Sequence, residues 1–290
     1  MKPRSPRHPL FLVGPTAALL VVFFVAPVIV AAIASFYDWD LLTPPRFVGF
    51  ANYVELAEGG ELLGTAARTL GFSAIVVSAS TSLGLGLALL LHRKGAVFAA
   101  ARSAIFSAYV VSWVAVALLW LWLLDPDAGL VAKTLAGLGL GRFAFLTEPR
   151  AALVTLALVT VWKNTGYALV IFLGALDAVP KSLLEAAALD GANAIRRFWH
   201  VIVPELRPTL GFVSTTSLVV SFQAFDVVRI MTQGGPAKGT TLFVYAIYEQ
   251  IFLNLSVGKA SALVVLFFAL LLALSALQLR VFRARGGTAS

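Results

Sequence analysis

Runs of about twenty apolar residues recur along this chain and leave it few ways to fold. Crossing ~30 Å of hydrocarbon at ~1.5 Å per residue takes about 20 residues, and each crossing segment must satisfy its own backbone polar groups. Six runs meet that length: Leu10–Phe36, Thr65–Leu91, Phe98–Leu124, Ala151–Leu176, Thr209–Met231 and Val257–Leu279. The expected fold class is therefore all-α, an integral membrane protein of six transmembrane helices. With 290 residues, 60% of them hydrophobic and only 12% charged, little is left over for a separate soluble domain. Lys2, Arg4 and Arg7 precede the first run, and Ala32-Ile33-Ala34 within it has the look of a cleavage site. A secretory apolar core is only about 7–15 residues long, so this longer run is expected to stay as an uncleaved first helix.

A net charge of +8 raises nucleic acid as a partner, but its distribution argues against one. In a six-span arrangement Lys2, Arg4, Arg7, Arg93, Lys94, Arg102, Lys181, Arg196, Arg197, Arg207, Arg280, Arg283 and Arg285 fall on one side. Arg46, Lys133, Arg142, Arg150 and Lys238 fall on the other, 5 against 13. The positive-inside rule then places both termini in the cytoplasm. Acids gather outside: Asp38, Asp40, Glu55, Glu58, Glu61, Asp125, Asp127 and Glu148. The charge reports membrane topology and gives no sign of nucleic acid.

Several chemistries are excluded outright. There is no cysteine, hence no disulfide framework, thiolate site or thiol nucleophile. His8, His92 and His200 are too scattered to suggest a metal site. The one Gly-Lys pair, Gly258-Lys259, lacks the glycine that a phosphate loop needs five positions earlier, so the chain is not expected to bind ATP itself. No internal repeat of the kind common in secondary transporters is visible. No nucleophile–base pair or metal-ligand set suggests an enzyme.

Local signals fill in the loops. "YDWDLLTPPRFVGFANYVELAEGGELLG" is a polar outer segment whose Pro44-Pro45 and Gly59-Gly60 mark turns around a short amphipathic stretch. Gly84 and Gly86 in the second run allow close approach of a neighbour. The turn "HRKG" makes a tight basic hairpin, and "GLVAKTLAGL" predicts a short outer helix. Trp120 and Trp122 suit an interfacial belt before Asp125-Pro126 ends the third run.

The most informative stretch lies between the fourth and fifth runs, "LDAVPKSLLEAAALDGANAIRRFWHVIVPELRPTL". Ser182 and Glu185 have the spacing of a capping box after Pro180. Asp190-Gly191 is a stop signal, because glycine adopts a left-handed conformation cheaply. A second helix is expected from Ala192 to Val203, capped by Asp190 or Asn193 and closed by Pro204 and Pro208. Two short helices joined at a glycine corner are too polar to cross a bilayer. Leu184, Ala187, Ala188, Ile195, Phe198 and Trp199 nevertheless need cover, from lipid or from the groove of a partner protein.

This segment resembles the cytoplasmic EAA loop of ATP-binding-cassette importer permeases, EAA-x-x-DGA-x5-F-x-x-I-x-x-P. It matches at Glu185, Ala186, Ala187, Asp190, Gly191, Ala192, Phe198 and Pro204, with Val201 in place of isoleucine. Further stretches are similar to the carbohydrate-uptake branch: "RFVGFANY", "FLGALDAVPKSLLEAA", "AFDVVRIMTQGGPAKGTT" and "EQIFLNLSVGKASAL". Arg68 and Lys259 depart from that branch, which usually has asparagine and tyrosine there. The resemblance implies a permease of the maltose, trehalose and glycerol-3-phosphate type, with the type I importer fold. It implies a coupling role for residues 180–204 within a transmembrane domain 65–280, preceded by a segment 1–64 and followed by a cytoplasmic tail 281–290. It also implies partners: a second, homologous permease making a heterodimer, two ATPase copies that bind ATP and Mg, an extracytoplasmic binding protein, and membrane lipid. No cofactor is expected on this chain.

Polar residues within the runs suggest where a substrate would pass, since a charge at mid-bilayer costs at least ~2.5–3.5 kcal/mol and usually faces a cavity or partner. Lys163, Asn164 and Tyr167 lie in the fourth run; Gln223, Phe225, Asp226 and Arg229 lie in the fifth. Two structural readings stay open beside a sugar-lined path: a local Asp226–Arg229 ion pair, and a Lys163 neutralised by a carboxylate on another helix. Glycerol-3-phosphate or a polyol is the alternative cargo.

Overall fold

The computed structural model describes residues 7–139, 143 and 145–284. Of the basic residues counted above, Lys2, Arg4, Arg142 and Arg285 lie outside the described residues, as does the rest of the tail to Ser290. α1 (Arg7–Leu20) runs through one π turn (Val21–Val25) into α2 (Ala26–Ala34). β1 (Tyr37–Asp38) and β2 (Arg46–Phe47) pair antiparallel, followed by α3 (Ala51–Glu58) and the long α4 (Glu61–Leu91). Then come α5 (Ala96–Val110), α6 (Trp113–Leu123), the short outer α7 (Leu130–Gly137) and α8 (Pro149–Asp177). After these come α9 (Lys181–Leu189), α10 (Ala194–Arg197), a π turn (Phe198–Ile202), α11 (Val203–Glu205), α12 (Arg207–Phe222) and α13 (Asp226–Met231). α14 (Phe243–Tyr248) and α15 (Val257–Ala284) complete the fold.

Among the described residues, Val13–Ala34, Glu61–Leu91, Pro149–Asp177 and Val257–Phe282 are long and apolar enough to cross a membrane, and α5 with α6 makes a fifth stretch bent by 103°. Two of the expected runs are thus not single helices. The third breaks where Val111 turns extended and Ser112 starts a new helix, its hydroxyl accepting from the Ala115 amide at 3.2 Å. The fifth breaks at Gln223, which caps α12, and resumes with Asp226 in the first turn of α13. An acid at a helix start and a base, Arg229, at its end favour this separate short helix through the backbone dipole.

Contacts divide the chain into two units. In the unit of residues 1–63 and 246–269, the "RFVGFANY" stretch acts as a clamp. Buried Asn52 donates through Nδ2 to the carbonyls of Ser35 (2.8 Å) and Tyr37 (3.0 Å), and the Tyr53 hydroxyl reaches Ser35 Oγ at 2.8 Å. Gly258 comes so close to the Tyr37 carbonyl that a side chain there would collide with it. Lys259 pairs with Glu55 at 2.7 Å, which gives its departure from the usual tyrosine a local partner. Nearby, Asp40 accepts from the Thr43 and Leu42 amides and the Thr43 hydroxyl, which hold its carboxyl below the ordinary range.

The unit of residues 64–245 and 270–290 holds the larger core, centred on Ala88, Ala168, Leu169, Phe172, Leu206 and Val213. Small residues let its helices touch. A Cβ on Gly84 would lie 2.4 Å from that of Ala168, and one on Gly166 would lie 2.6 Å from the Ile105 carbonyl. Hydroxyls tie the helices across these seams, with Ser221 donating to Ser73 at 2.8 Å and Thr69 accepting from the Phe243 amide at 3.1 Å. Arg68 also binds across, to the Thr241 carbonyl at 3.2 Å.

Gly84→Ala is expected to cost about 1–3 kcal/mol through overpacking, read as a lower thermal midpoint in detergent. Adding Ala168→Gly should restore most of it. A Gly84→Ala protein as stable as the parent would mean that α4 and α8 do not approach this closely.

Candidate functional site

The segment between α8 and α12 builds a projection from local rules. α9 starts after Pro180 with no side-chain cap, so the expected Ser182–Glu185 capping box does not form; Ser182 already lies inside the first turn. Its end follows the expectation closely. Gly191 takes φ +76°, its amide donates to the Ala188 carbonyl at 3.1 Å, and the Ala192 amide donates to the Ala187 carbonyl at 2.9 Å. That is a Schellman closure, with Gly191 at the left-handed position. Asn193, not Asp190, caps the next helix, its side chain accepting from the Arg196 amide at 2.9 Å. The second helix widens through its π turn just before Pro204, a residue with no amide to donate.

Glu185, Ala186, Asp190 and Gly191 are exposed, while Ala187, Ala192 and Pro204 are half-buried. Leu184 packs against the core of its unit. Leu189 stands 89% exposed and Ile195 70%, so the corner carries an apolar tip. Leu189 was not among the residues expected to need cover. Its position just before the Asp-Gly stop could have identified it.

Within the spans, Lys163 answers the question its burial raises. It is 3% exposed, and its ammonium donates to the carbonyls of Ala108 (3.1 Å), Tyr109 (2.7 Å) and Val111. The rings of Tyr109 and Trp113 lie 5.6 and 5.0 Å from the ammonium. These carbonyls belong to the end of α5, where a helix leaves acceptors unpaired and carries partial negative charge. The expected carboxylate partner is replaced by a broken helix end. All three ammonium donors are taken, so none remains for a ligand.

Asn164 is 1% exposed, with Nδ2 donating to Ser217 Oγ at 2.9 Å and its Oδ1 without a hydrogen-bond partner among the described residues. Its neighbour on the same face, Tyr167, is half-buried and stacks on Tyr109 at 5.2 Å. Gln223, Asp226 and Arg229 do not form one helical stripe, because the break separates Gln223 from the other two. Gln223 is exposed; Asp226, Arg229 and Phe225 are half-buried, with Phe225 stacked on Tyr245 at 6.4 Å. Tyr109, Trp113 and Ser217 are the residues sequence reading missed. The Ser112 cap was the available signal for the first two.

Comparison with known proteins places this geometry in context. The family model described as "Binding-protein-dependent transport system inner membrane component" matches residues 80–285. The sn-glycerol-3-phosphate transport system permease protein UgpA of Yersinia pseudotuberculosis is 33% identical over 277 residues, 94% of this chain and 93% of that one. UgpA of Agrobacterium fabrum is 34% identical over 281 residues, 96% of this chain and 95% of that one. Among solved structures, the fold is similar to a chain of a bacterial ABC transporter importing the acidic polysaccharide alginate, with a TM-score of 0.80, 21% identity and 93% of each chain covered. It is also similar to a chain of the bacterial alginate ABC transporter in complex with its alginate pentasaccharide-bound periplasmic protein, with a TM-score of 0.83, 21% identity and coverage of 96% and 94%.

Lys163→Met is expected to leave three carbonyls unpaired, at about 1–3 kcal/mol for the buried one at Ala108, and to lower the thermal midpoint in detergent. A variant as stable as the parent would show that the elbow does not rest on this ammonium.

Proposed function

Because the chain belongs to the family of inner membrane components of binding-protein-dependent transport systems, we propose that it carries a sugar, with a di- or oligosaccharide as cargo, through an ATP-driven importer. In this reading it is one of two related permease chains on two copies of a separate ATPase, fed by an extracytoplasmic binding protein. ATP and Mg are held by the ATPase, and this chain hydrolyses nothing. The broken stretches α5–α6 and α12–α13 each count as one span, which gives six crossings with both termini in the cytoplasm. The transporting core is residues 65–280, flanked by 1–64 and the tail 281–290.

The observation that carries the coupling role is the projecting corner at Gly191. A rigid two-helix knob with an exposed apolar tip suits the groove of a protein partner better than solvent. We assign Glu185, Ala186, Ala187, Asp190, Gly191, Ala192 and Pro204 to the ATPase contact. Alanines at the first three-residue step permit close approach, and the two acids supply polar contacts at the helix end.

For the path we favour the groups left accessible: Gln223 at the α12 break, the half-buried aromatics Tyr167 and Phe225, and Asp226 with Arg229 at the ends of α13. Sugars take hydrogen bonds on their hydroxyls and stacking on their faces. Asn164 and Lys163 support these groups from within the core.

Glycerol-3-phosphate is the second reading, favoured by the names of the 33–34% identical relatives. Lys163 speaks against itself as a phosphate ligand, since its donors are spent on carbonyls. Capture of the tagged chain from its native host in mild detergent should bring down a second permease, an ATPase and a binding protein. Uptake assays with that set in liposomes then decide between neutral oligosaccharides and glycerol-3-phosphate. A chain that purifies alone and transports alone would defeat the importer assignment.

Nothing lies within 4 Å of a Cβ placed at Gly191, so a side chain can leave the backbone there, although its φ of +76° strains any other residue. Gly191→Trp is expected to lower substrate uptake at least ~10-fold, the equivalent of about 1.4 kcal/mol of coupling, and to abolish stimulation of ATP hydrolysis by the loaded binding protein. The folded yield should hold, since non-glycine residues in this conformation cost only about 1–2 kcal/mol. Normal transport by this variant would remove the corner from the coupling path.

A further inference from the structure

We infer that the groove between α4, α5 and α8 is a binding site for an anionic phospholipid, with one acyl chain in the groove and the phosphate at its basic end. The groove holds about 530 Å³ and is lined by Leu83, Leu87, Ile105, Ala108, Trp162 and Thr165, among others. The inference requires only that these helices lie in a membrane, and it does not depend on the cargo or on the coupling role of α9.

The groove runs along the two turns of α8 that carry Leu158 to Thr165, and its apolar walls match an acyl chain.

Charge identifies the head group. Leu87 lies one turn before the end of α4, and the chain then makes the basic hairpin His92-Arg93-Lys94-Gly95. Arg102 sits three residues before the groove residue Ile105, hence on the same face of α5 and one turn nearer that hairpin. Its Nη1 donates to the carbonyls of Leu91 (2.7 Å) and Arg93 (3.2 Å), which fixes the guanidinium against the hairpin backbone. Its other two nitrogens carry three further donors. The Arg93 and Lys94 side chains are exposed and have no ion-pair partner among the described residues. His92 is occupied separately by Asp177, at 2.9 Å. Three cations thus belong to the turn between α4 and α5, one turn or more beyond the groove residues Leu87 and Ile105, and one of them is already oriented by backbone bonds. Basic pockets at the ends of membrane helices recognise anionic head groups through this combination.

Trp162 lines the groove and is 42% exposed, so the site carries its own reporter. The assembled transporter would be placed in phosphatidylcholine nanodiscs containing increasing amounts of phosphatidylglycerol with brominated acyl chains. Trp162 quenching is taken as the difference from a Trp162→Phe protein. Quenching should saturate at a mole fraction about tenfold or more lower for brominated phosphatidylglycerol than for brominated phosphatidylcholine. Each lost cation should weaken the preference by about fivefold, on the order expected for one basic residue near a lipid surface. The exposed double variant Arg93→Gln/Lys94→Gln tests that without disturbing the core. Equal quenching by the two lipids would reduce the groove to ordinary lipid-facing surface and overturn the site. Absence of Trp162 quenching by either lipid would mean that protein covers the groove, and would overturn it equally.

Discussion

A helix that turns through 103° inside a membrane exposes carbonyls that water cannot reach, and such a turn survives only if something within the protein pairs them. Here that partner is a single ammonium. Lys163 reaches from the middle of α8 to the end of α5 and donates to three of its carbonyls, while the faces of Tyr109 and Trp113 spread its charge. The two problems resolve each other. A lysine deep in a span needs acceptors, and a broken span needs donors. The elbow then fixes where Tyr109 sits, and through the stack with Tyr167 it fixes an aromatic pair in the unit that the proposed substrate path uses.

Around that elbow the helices are held by closeness more than by greasy bulk. Lipid tails are as apolar as leucine, so association within the bilayer rests on packing and on hydrogen bonds between helices. Gly84 against Ala168 and Gly166 against Ile105 bring α8 into backbone contact with α4 and α5. Along the same seams Asn164 binds Ser217, and Ser221 binds Ser73, so polar side chains face inward to one another. A side chain with donors in such a seam is occupied in holding helices together. Asn164, a candidate for touching substrate by residue type, thus has a structural partner on α12 for its amide donor.

Signals of two kinds differed in how well the sequence displayed them. Length and apolarity announced the helices, and Asp190-Gly191 announced the corner between α9 and α10, because a left-handed glycine is a local requirement. The breaks within runs were hidden, since Val110-Val111 is as apolar as a continuous span and a single polar residue, Gln223, does not by itself announce a helix end. Only small cues marked them: a serine able to cap, and an acid–base order along Asp226 to Arg229. The partner of Lys163 was beyond reach for another reason. It consists of main-chain oxygens, which every residue has, and only the bend singles out the ones left free.

The proposed coupling follows from how α9 is mounted. It follows α8 after only three residues, and Leu184 packs into the same core as Leu176, Val179 and Leu206. A push on the exposed tip at Leu189 is therefore delivered into the base of α8, not absorbed in a loop. From α8 the same displacement meets α4 at Gly84, α5 at Gly166 and α12 at Ser217, contacts too close to slip independently. Such a body tends to move as one piece, because packed cores switch between arrangements instead of deforming continuously. In the proposed coupling, force applied at the exposed tip would be carried into the packed helices of this unit.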